Sequence, residues 1–233
     1  MTVSEMQTYV AQILADTSNT KWQNATHILP AINSAQEEFV IKVLGLIGQN
    51  RAAFGILSEL QKESSSLSIG TSGYALSGVD STAPFMRNGL IAVKCTIDSA
   101  TRWCQIISIA DFGQQNNYYA QGNSERPLAY EFNETIYILA SSGDYPVTSV
   151  IYYIREPKVL VASGASGYQA TTCELNAVYH RMISEIAVAN CWRLLGDESS
   201  LQKYDRMMQR IDQRIQTIAM SGQVAPKVRE QEI

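Results

Sequence analysis

Histidine and cysteine are scarce in this chain, and their scarcity removes several kinds of chemistry. His27 and His180 are the only histidines in 233 residues, and the four cysteines, Cys95, Cys104, Cys173 and Cys191, are spread far apart. No CxxC pair exists, so the spacing of a zinc ribbon or a thioredoxin-like redox centre is missing; the pattern suits buried thiols in a reducing compartment. Also missing are a Gly-rich loop ending in Gly-Lys-Ser, GxGxxG, HExxH, GxSxG and an EF-hand run of acidic ligands. No catalytic residue, metal or cofactor is therefore assigned. Long apolar runs are lacking too: no stretch approaches the roughly 18 residues of a membrane helix. The opening "MTVSEMQTYVAQILADTSN" has neither a basic start nor a continuous apolar segment. A cytoplasmic origin without a membrane partner is expected, and the sequons at Asn24 and Asn133 carry little weight there. Basic residues are in deficit, 18 against 22 acidic ones, for a net charge of −4. General nucleic-acid binding needs clustered Lys and Arg to displace counterions from phosphates, so it is not expected.

The residues that are present, 45% of them hydrophobic, are enough for a genuine core. Thr2 and Glu5 fit a capping box, and Met6, Val10, Ile13 and Leu14 recur at helical spacing over residues 3–15. A second helix is predicted from about Thr26 through Ile28, Ile32, Ala35, Phe39, Val40 and Val43, with Pro30 tolerated near its first turn. A third helical pattern carries Phe54, Leu57 and Leu60 at steps of three. From about 67 to 157 the texture changes: "LIAVKCTI", "PLAYEF", "TIYILA" and "VTSVIYYI" are short β-branched and aromatic runs between Gly, Ser, Asn and Pro clusters, the pattern of an antiparallel sheet. Residues 108–123 read as a helical turn between strands. Helix returns from Cys173 to about Leu195, with two apolar faces, Val178, Met182, Ile186 and Ala189 on one and Tyr179, Ile183, Ala187 and Leu194 on the other. A last helix follows, with Leu201, Tyr204, Met208, Ile211, Ile215 and Ile218 in a heptad-like seam.

The expected fold class is thus α+β. It is a helical bundle built from residues 1–63 and 173–220, with an inserted antiparallel β lobe over 64–172 and an extended tail over 221–233. Candidate functional residues are few. His180 with Glu185 or Cys173 offers an acid-base pair on paper, but an imidazole satisfied at the start of a central helix explains it better, and His27 is read the same way. Asp80, Asp98 and Asp111 are scattered through loops, and Glu37 and Glu38 sit on a helix surface. Seven tyrosines, Tyr118, Tyr119, Tyr130, Tyr137, Tyr145, Tyr152 and Tyr153, cluster in the β lobe, where an apolar body with a polar tip suits either a sheet rim or a protein interface. Arg206, Arg210 and Arg214 form one helical row, read as a solvated face or a contact with an acidic neighbour. Asp205 and Asp212 partly cancel that row, which disfavours DNA phosphates.

Three stretches together carry a family resemblance: "AINSAQEEFVIKVLG", "SVIYYIREPKVL" and "ELNAVYHRMISEIAVANCWRLLGDESSLQKYDRMMQRIDQRI". The pattern resembles the head-to-tail connector, or tail adaptor, proteins of short-tailed phages. Asn33, Ala35, Gln36 and Glu37 match a first-helix motif. Tyr152, Tyr153 and Pro157 match a strand end with one extra residue before the proline, and Ala187, Ala189, Gly196 and Asp197 match a small-residue helix followed by a Gly-Asp turn. The stretch 61–88 departs from the family pattern in its Ser and Gly content.

The resemblance implies a virion protein of the neck, assembled in the bacterial cytoplasm, with no enzymatic activity. Copies would form a ring, in such families a dodecamer, beneath the portal protein and offer a surface to tail tube, nozzle and fibre proteins. DNA would pass through the channel without specific binding. It further implies Val224, Lys227, Val228 and Arg229 for portal contact, Tyr118, Tyr119 and Tyr145 for the tail-facing surface, and Arg206, Arg210 and Arg214 for the subunit interface. A tail-tube or fibre-associated component, and a cytoplasmic enzyme working through His180 or Glu185, stay open as alternatives.

Overall fold

The computed structural model describes residues 1–18, 20–47, 51–80, 82–109, 122–141 and 143–221. In chain order, helices α1 (Val3–Ile13) and α2 (Leu29–Ile47) come first. Strands β1 (Gln61–Glu63), β2 (Leu67–Ile69), β3 (Tyr74–Ala75), β4 (Phe85–Ile97), β5 (Ala100–Trp103) and β6 (Gln105–Ile106) follow. Then come β7 (Leu128–Phe132), β8 (Thr135–Leu139), β9 (Val147–Arg155), β10 (Val159–Leu160) and β11 (Gln169–Ala170), and helices α3 (Ala177–Leu195) and α4 (Glu198–Ser221) close the order. The fold is mixed α+β, and it divides into two compact units, Met1–Leu60 with Pro157–Ile233, and Gln61–Glu156.

In the first unit α1 starts on the predicted capping box. The Glu5 N–H donates to Thr2 Oγ1 at 3.3 Å and the Thr2 N–H to Glu5 Oε2 at 2.7 Å, so two otherwise orphaned donors are satisfied. A π-helical turn, Asn24–Ile28, leads into α2, and Pro30 stands second in α2, directly after that turn. Ile28, Ile32, Ala35, Phe39, Val40 and Val43 are all buried, as their spacing predicts. The third helical pattern is a 3₁₀ segment, Arg51–Leu60, kinked at Leu57, where an α-helix is the obvious expectation. Steps of three suit a helix with three residues per turn, and Leu57 and Leu60 are wholly buried.

α3 is the central helix, in contact with α1, α2 and α4. Twelve consecutive positions from Tyr179 contain only one that is not buried, which explains why two apolar faces were legible. The helix begins at Ala177, after an Asn176 side-chain cap, and not at Cys173. At its ends Val178 and Leu194 are each 72% exposed and belong to neither buried face. Gly196 stops the helix at φ 71°, where an L side chain would be strained. Asp197 then accepts from the Ser200 N–H (2.9 Å) and hydroxyl (2.7 Å) to start α4. Along α4, Met208, Ile211, Ile215 and Ala219 are buried, while Leu201 at the start of the predicted seam is exposed.

The segment 157–172 lies in this first unit. β10 and β11 pair in parallel, and the Asn33 side chain of α2 holds β10 on both sides. Its Nδ2 donates to the Leu160 carbonyl at 3.0 Å and its Oδ1 accepts from the Leu160 N–H at 2.7 Å.

The second unit holds two sheets. One has the order β1-β9-β4-β5, with β2 also on β9, and all its pairs are antiparallel; the other has the order β3-β8-β7-β6, with β6 and β7 parallel. Val93, Cys95, Ile97, Ile151 and Tyr153 from the first and Ala129, Ile136 and Ile138 from the second share one core. Every strand predicted from alternation is present. The β8 and β9 runs, which follow each other around a polar turn, lie in different sheets and do not pair. Hairpins β4–β5 and β7–β8 turn through Asp98–Ser99 and Asn133–Glu134. Both central residues of each have positive φ, the primed turn whose twist matches that of the strands.

Candidate functional site: assembly surfaces and internal clamps

The groups most suggestive of chemistry are already engaged in holding the fold. His180, 3% exposed, has Nε2 2.6 Å from the Leu175 carbonyl and Nδ1 2.6 Å from the Met1 amino nitrogen. Burial lowers its pKa, which favours the neutral ring. Glu185 is held by Arg214 at 2.8 Å and Arg181 at 3.3 Å, and it accepts from the Tyr9 hydroxyl at 3.4 Å. This carboxylate ties α1, α3 and α4 together. Its oxygens face two cations and the Tyr9 hydroxyl.

Among the described residues no group of three His, Cys, Asp or Glu side chains has a metal-holding arrangement, and no helix is long and apolar enough to cross a membrane. A cleft in the second unit brings Asp80, Arg87, Glu134 and Glu156 to its rim. Asp80 is bound by its own turn, since the Thr82 hydroxyl donates to it at 2.7 Å and lowers its pKa. Asp98 sits in the β4–β5 turn, and Asp111 lies outside the described residues. His27 belongs to the π-helical turn, where its ring meets Trp22 edge-on at 6.0 Å.

The tyrosines divide by face. Tyr153 is inside the second unit, stacked on Phe85 at 5.0 Å and donating to the Ala83 carbonyl at 2.9 Å. Tyr130 and Tyr137 stack as a cross-strand pair at 5.0 Å. Tyr145, which precedes a cis Pro146, donates its hydroxyl to the Ile138 carbonyl and accepts from the Ala140 N–H at 3.0 Å, pinning the turn after β8. Tyr152 faces outward: its ring lies 5.5 Å from Trp103, and its hydroxyl reaches Glu63 at 3.2 Å. Tyr118 and Tyr119 lie outside the described residues, as do Val224, Lys227, Val228 and Arg229.

Trp103 escaped attention in the sequence. It is 59% exposed, with the Lys94 ammonium 5.8 Å from its ring, so Trp103, Tyr152 and Lys94 form an aromatic strip on the outer face of the larger sheet. The available signal was the alternation of "ATRW", which puts Trp103 on the exposed side of edge strand β5 beside Tyr152. On α4, Arg206 and Arg210 are exposed, whereas Arg214 of the same row is bonded to Glu185.

The residues carrying the family resemblance are structural clamps. Asn33 grips Leu160, Gln36 donates to Asn33 Oδ1 at 3.3 Å and accepts from the Cys173 thiol at 3.3 Å, and Ala35 is fully buried. Gly196 and Asp197 form the turn between α3 and α4. No curated protein matches the chain. The family described as SU10 adaptor protein matches residues 1–227, nearly the whole length, so the chain belongs to this phage adaptor family.

Proposed function

We propose that this adaptor is a structural virion protein that assembles as a ring beneath the portal and gives tail components their attachment surface. The observation that carries the reading is the family match over residues 1–227. The helices of the first unit act as a bundle forming the ring wall, and the two-sheet unit points toward tail tube and fibre proteins. The ring is a dodecamer of this chain, closed by contacts that include the Arg206 and Arg210 row. Val224, Lys227, Val228 and Arg229 contact the portal, and Tyr118, Tyr119 and Tyr145 belong to the tail-facing side. Heterologous contacts close a ring only when the rotation per copy divides the circle, so the portal acts as the template that sets the copy number. The net charge of −4 suits a channel through which DNA slides without being gripped.

The outward Trp103–Tyr152 strip supports the assembly reading, since it leaves an aromatic surface for a neighbour. The test is co-sedimentation of the chain, with and without residues 221–233, against the portal ring of the same phage. Saturable binding that depends on the tail segment is expected. Equal binding by both forms removes the tail segment from the interface, and no binding by either turns the assignment toward a tail-tube or fibre component.

A further inference from the structure

The core of the second unit contains a feature that ring assembly does not require. Cys95, on β4, and Cys104, in the one-residue step between β5 and β6, have their sulfurs 3.5 Å apart, with the Cys104 thiol donating to Cys95 Sγ. Both are free and buried, Cys95 1% and Cys104 8% exposed. The neighbouring hydroxyl of Ser149, the direct cross-strand partner of Cys95, is buried and has no hydrogen-bond partner. The other cysteines differ: Cys173 donates to Gln36 and Cys191 is buried within α3, and burial pushes both thiols up to about 11.

We propose that Cys95 and Cys104 are an oxidisable dithiol that closes to a disulfide when the particle leaves the reducing cytoplasm. The sulfurs already point at each other across a short hairpin, so closure needs a local approach of the two strands and no rearrangement of the fold. The oxidant is a peroxide, small enough to enter when the four-residue edge strand β5 frays. The hydrogen bond from Cys104 favours the thiolate on Cys95, which makes Cys95 the attacking sulfur. It attacks one peroxide oxygen, the O–O bond breaks, and hydroxide leaves and takes a proton to become water, so Cys95 becomes a sulfenic acid. The Cys104 sulfur then attacks Cys95 Sγ. The S–O bond breaks, the S–S bond forms, and the Cys104 proton leaves with the departing hydroxide as a second water. The two sulfurs together lose two electrons, and the peroxide gains them. The product staples β4 to the step into β6.

The test treats the full-length chain with hydrogen peroxide at neutral pH, then unfolds it in the presence of an alkylating agent and maps the peptides by mass spectrometry. Accessible thiols should fall from four to two, with one cross-linked peptide joining positions 95 and 104 and with Cys173 and Cys191 fully alkylated. Chain oxidised while unfolded in urea serves as the reference for unguided pairing and should give mixed cross-links. In Cys104→Ser, Cys95 should accumulate as a sulfenic acid that reacts with dimedone. Because the wild-type map needs no variant, a misfolded substitution does not decide the matter. Retention of four thiols, or oxidation spread evenly over all the cysteines, overturns the proposal.

Discussion

Asn33 spends both ends of its amide on the backbone of Leu160, and Gln36 braces it from the next turn of α2. Asn33→Ala leaves one N–H and one carbonyl of β10 without their side-chain partner, and we expect a loss of about 1–3 kcal/mol. Urea unfolding and hydrogen exchange at the Leu160 amide check it. Asn33→Asp should not restore stability, since its carboxylate still accepts from the N–H but faces the carbonyl oxygen. An unchanged midpoint in both variants would remove the clamp from the account. Asp16 plays a comparable part in the loop after α1. Its carboxylate accepts from the N–H groups of Trp22 (2.6 Å), Lys21 (2.8 Å) and Thr20 (3.1 Å) and from the Thr20 hydroxyl (2.8 Å). The Trp22 bond is the largest cause holding its pKa down to about 2. A folded pKa below the unfolded one, about 3.9, gives stability that is complete above the unfolded value and lost as pH falls from about 4 toward 2. Wild type should therefore melt above Asp16→Asn near neutrality, and the gap should close through that acid window in melts taken at a series of pH values. At this scale the sequence was legible as a pattern only. Asn33 and Gln36 carried the resemblance, but what they bind is 127 and 137 residues away, and no local spacing encodes that distance.

Elements were read well where one face is buried. The alternation of "LIAVKCTI" and "VTSVIYYI" located β4 and β9, because only one face of each packs inward, and the capping box located α1. They were read poorly where tertiary contacts define them. β10 and β11 are two residues each, with β10 held by Asn33 of α2 and β11 by its pairing with β10, and the placing of β8 and β9 in separate sheets is invisible to periodicity. The bulged start of β4 is another case. Its register shifts between Phe85 and Leu90 and again before Ala92, and Gly89 sits in the irregular stretch. A Cβ on Gly89 would stand 2.6 Å from the Met86 carbonyl oxygen and 2.8 Å from that of Ile154, both of them backbone atoms. Gly89→Ala must therefore push β4 away from β9, and a destabilisation of about 1–3 kcal/mol is expected. The loss should be confined to the second unit: amide exchange should accelerate in β4 and β9 while α3 keeps its protection. Equal loss in both units would mean that they unfold as one.

At the scale of the whole molecule the sequence indicated helices, a β excursion and helices again, and the order of the elements runs that way. Any surface that would join one copy to another was far less legible, because an exposed charge looks the same in solvent as at an interface. The arginine row of α4 illustrates the difficulty and supplies a way through it. Arg214 is bound to Glu185, which is nearly buried, while Arg206 and Arg210 are exposed. Arg214→Ala takes one cation from that carboxylate, leaving Arg181, and with Arg214 itself half exposed the expected cost is about 1 kcal/mol. Arg206→Glu with Arg210→Glu changes two exposed side chains for which no ion pair is seen among the described residues, and stability should stay within about 0.5 kcal/mol of wild type. If the row joins neighbouring copies, the charge reversal should nevertheless weaken ring formation on the portal, more so at low salt, where exposed charges are least screened. Thermal melts and sedimentation velocity with portal present separate the two effects. A lower melting temperature with normal assembly is the signature of Arg214, and normal melting with impaired assembly is that of the double variant. Should the double variant assemble as wild type does, α4 is a solvated face, and the subunit contact is to be sought on the Trp103 and Tyr152 strip, where Trp103→Ala is the corresponding experiment.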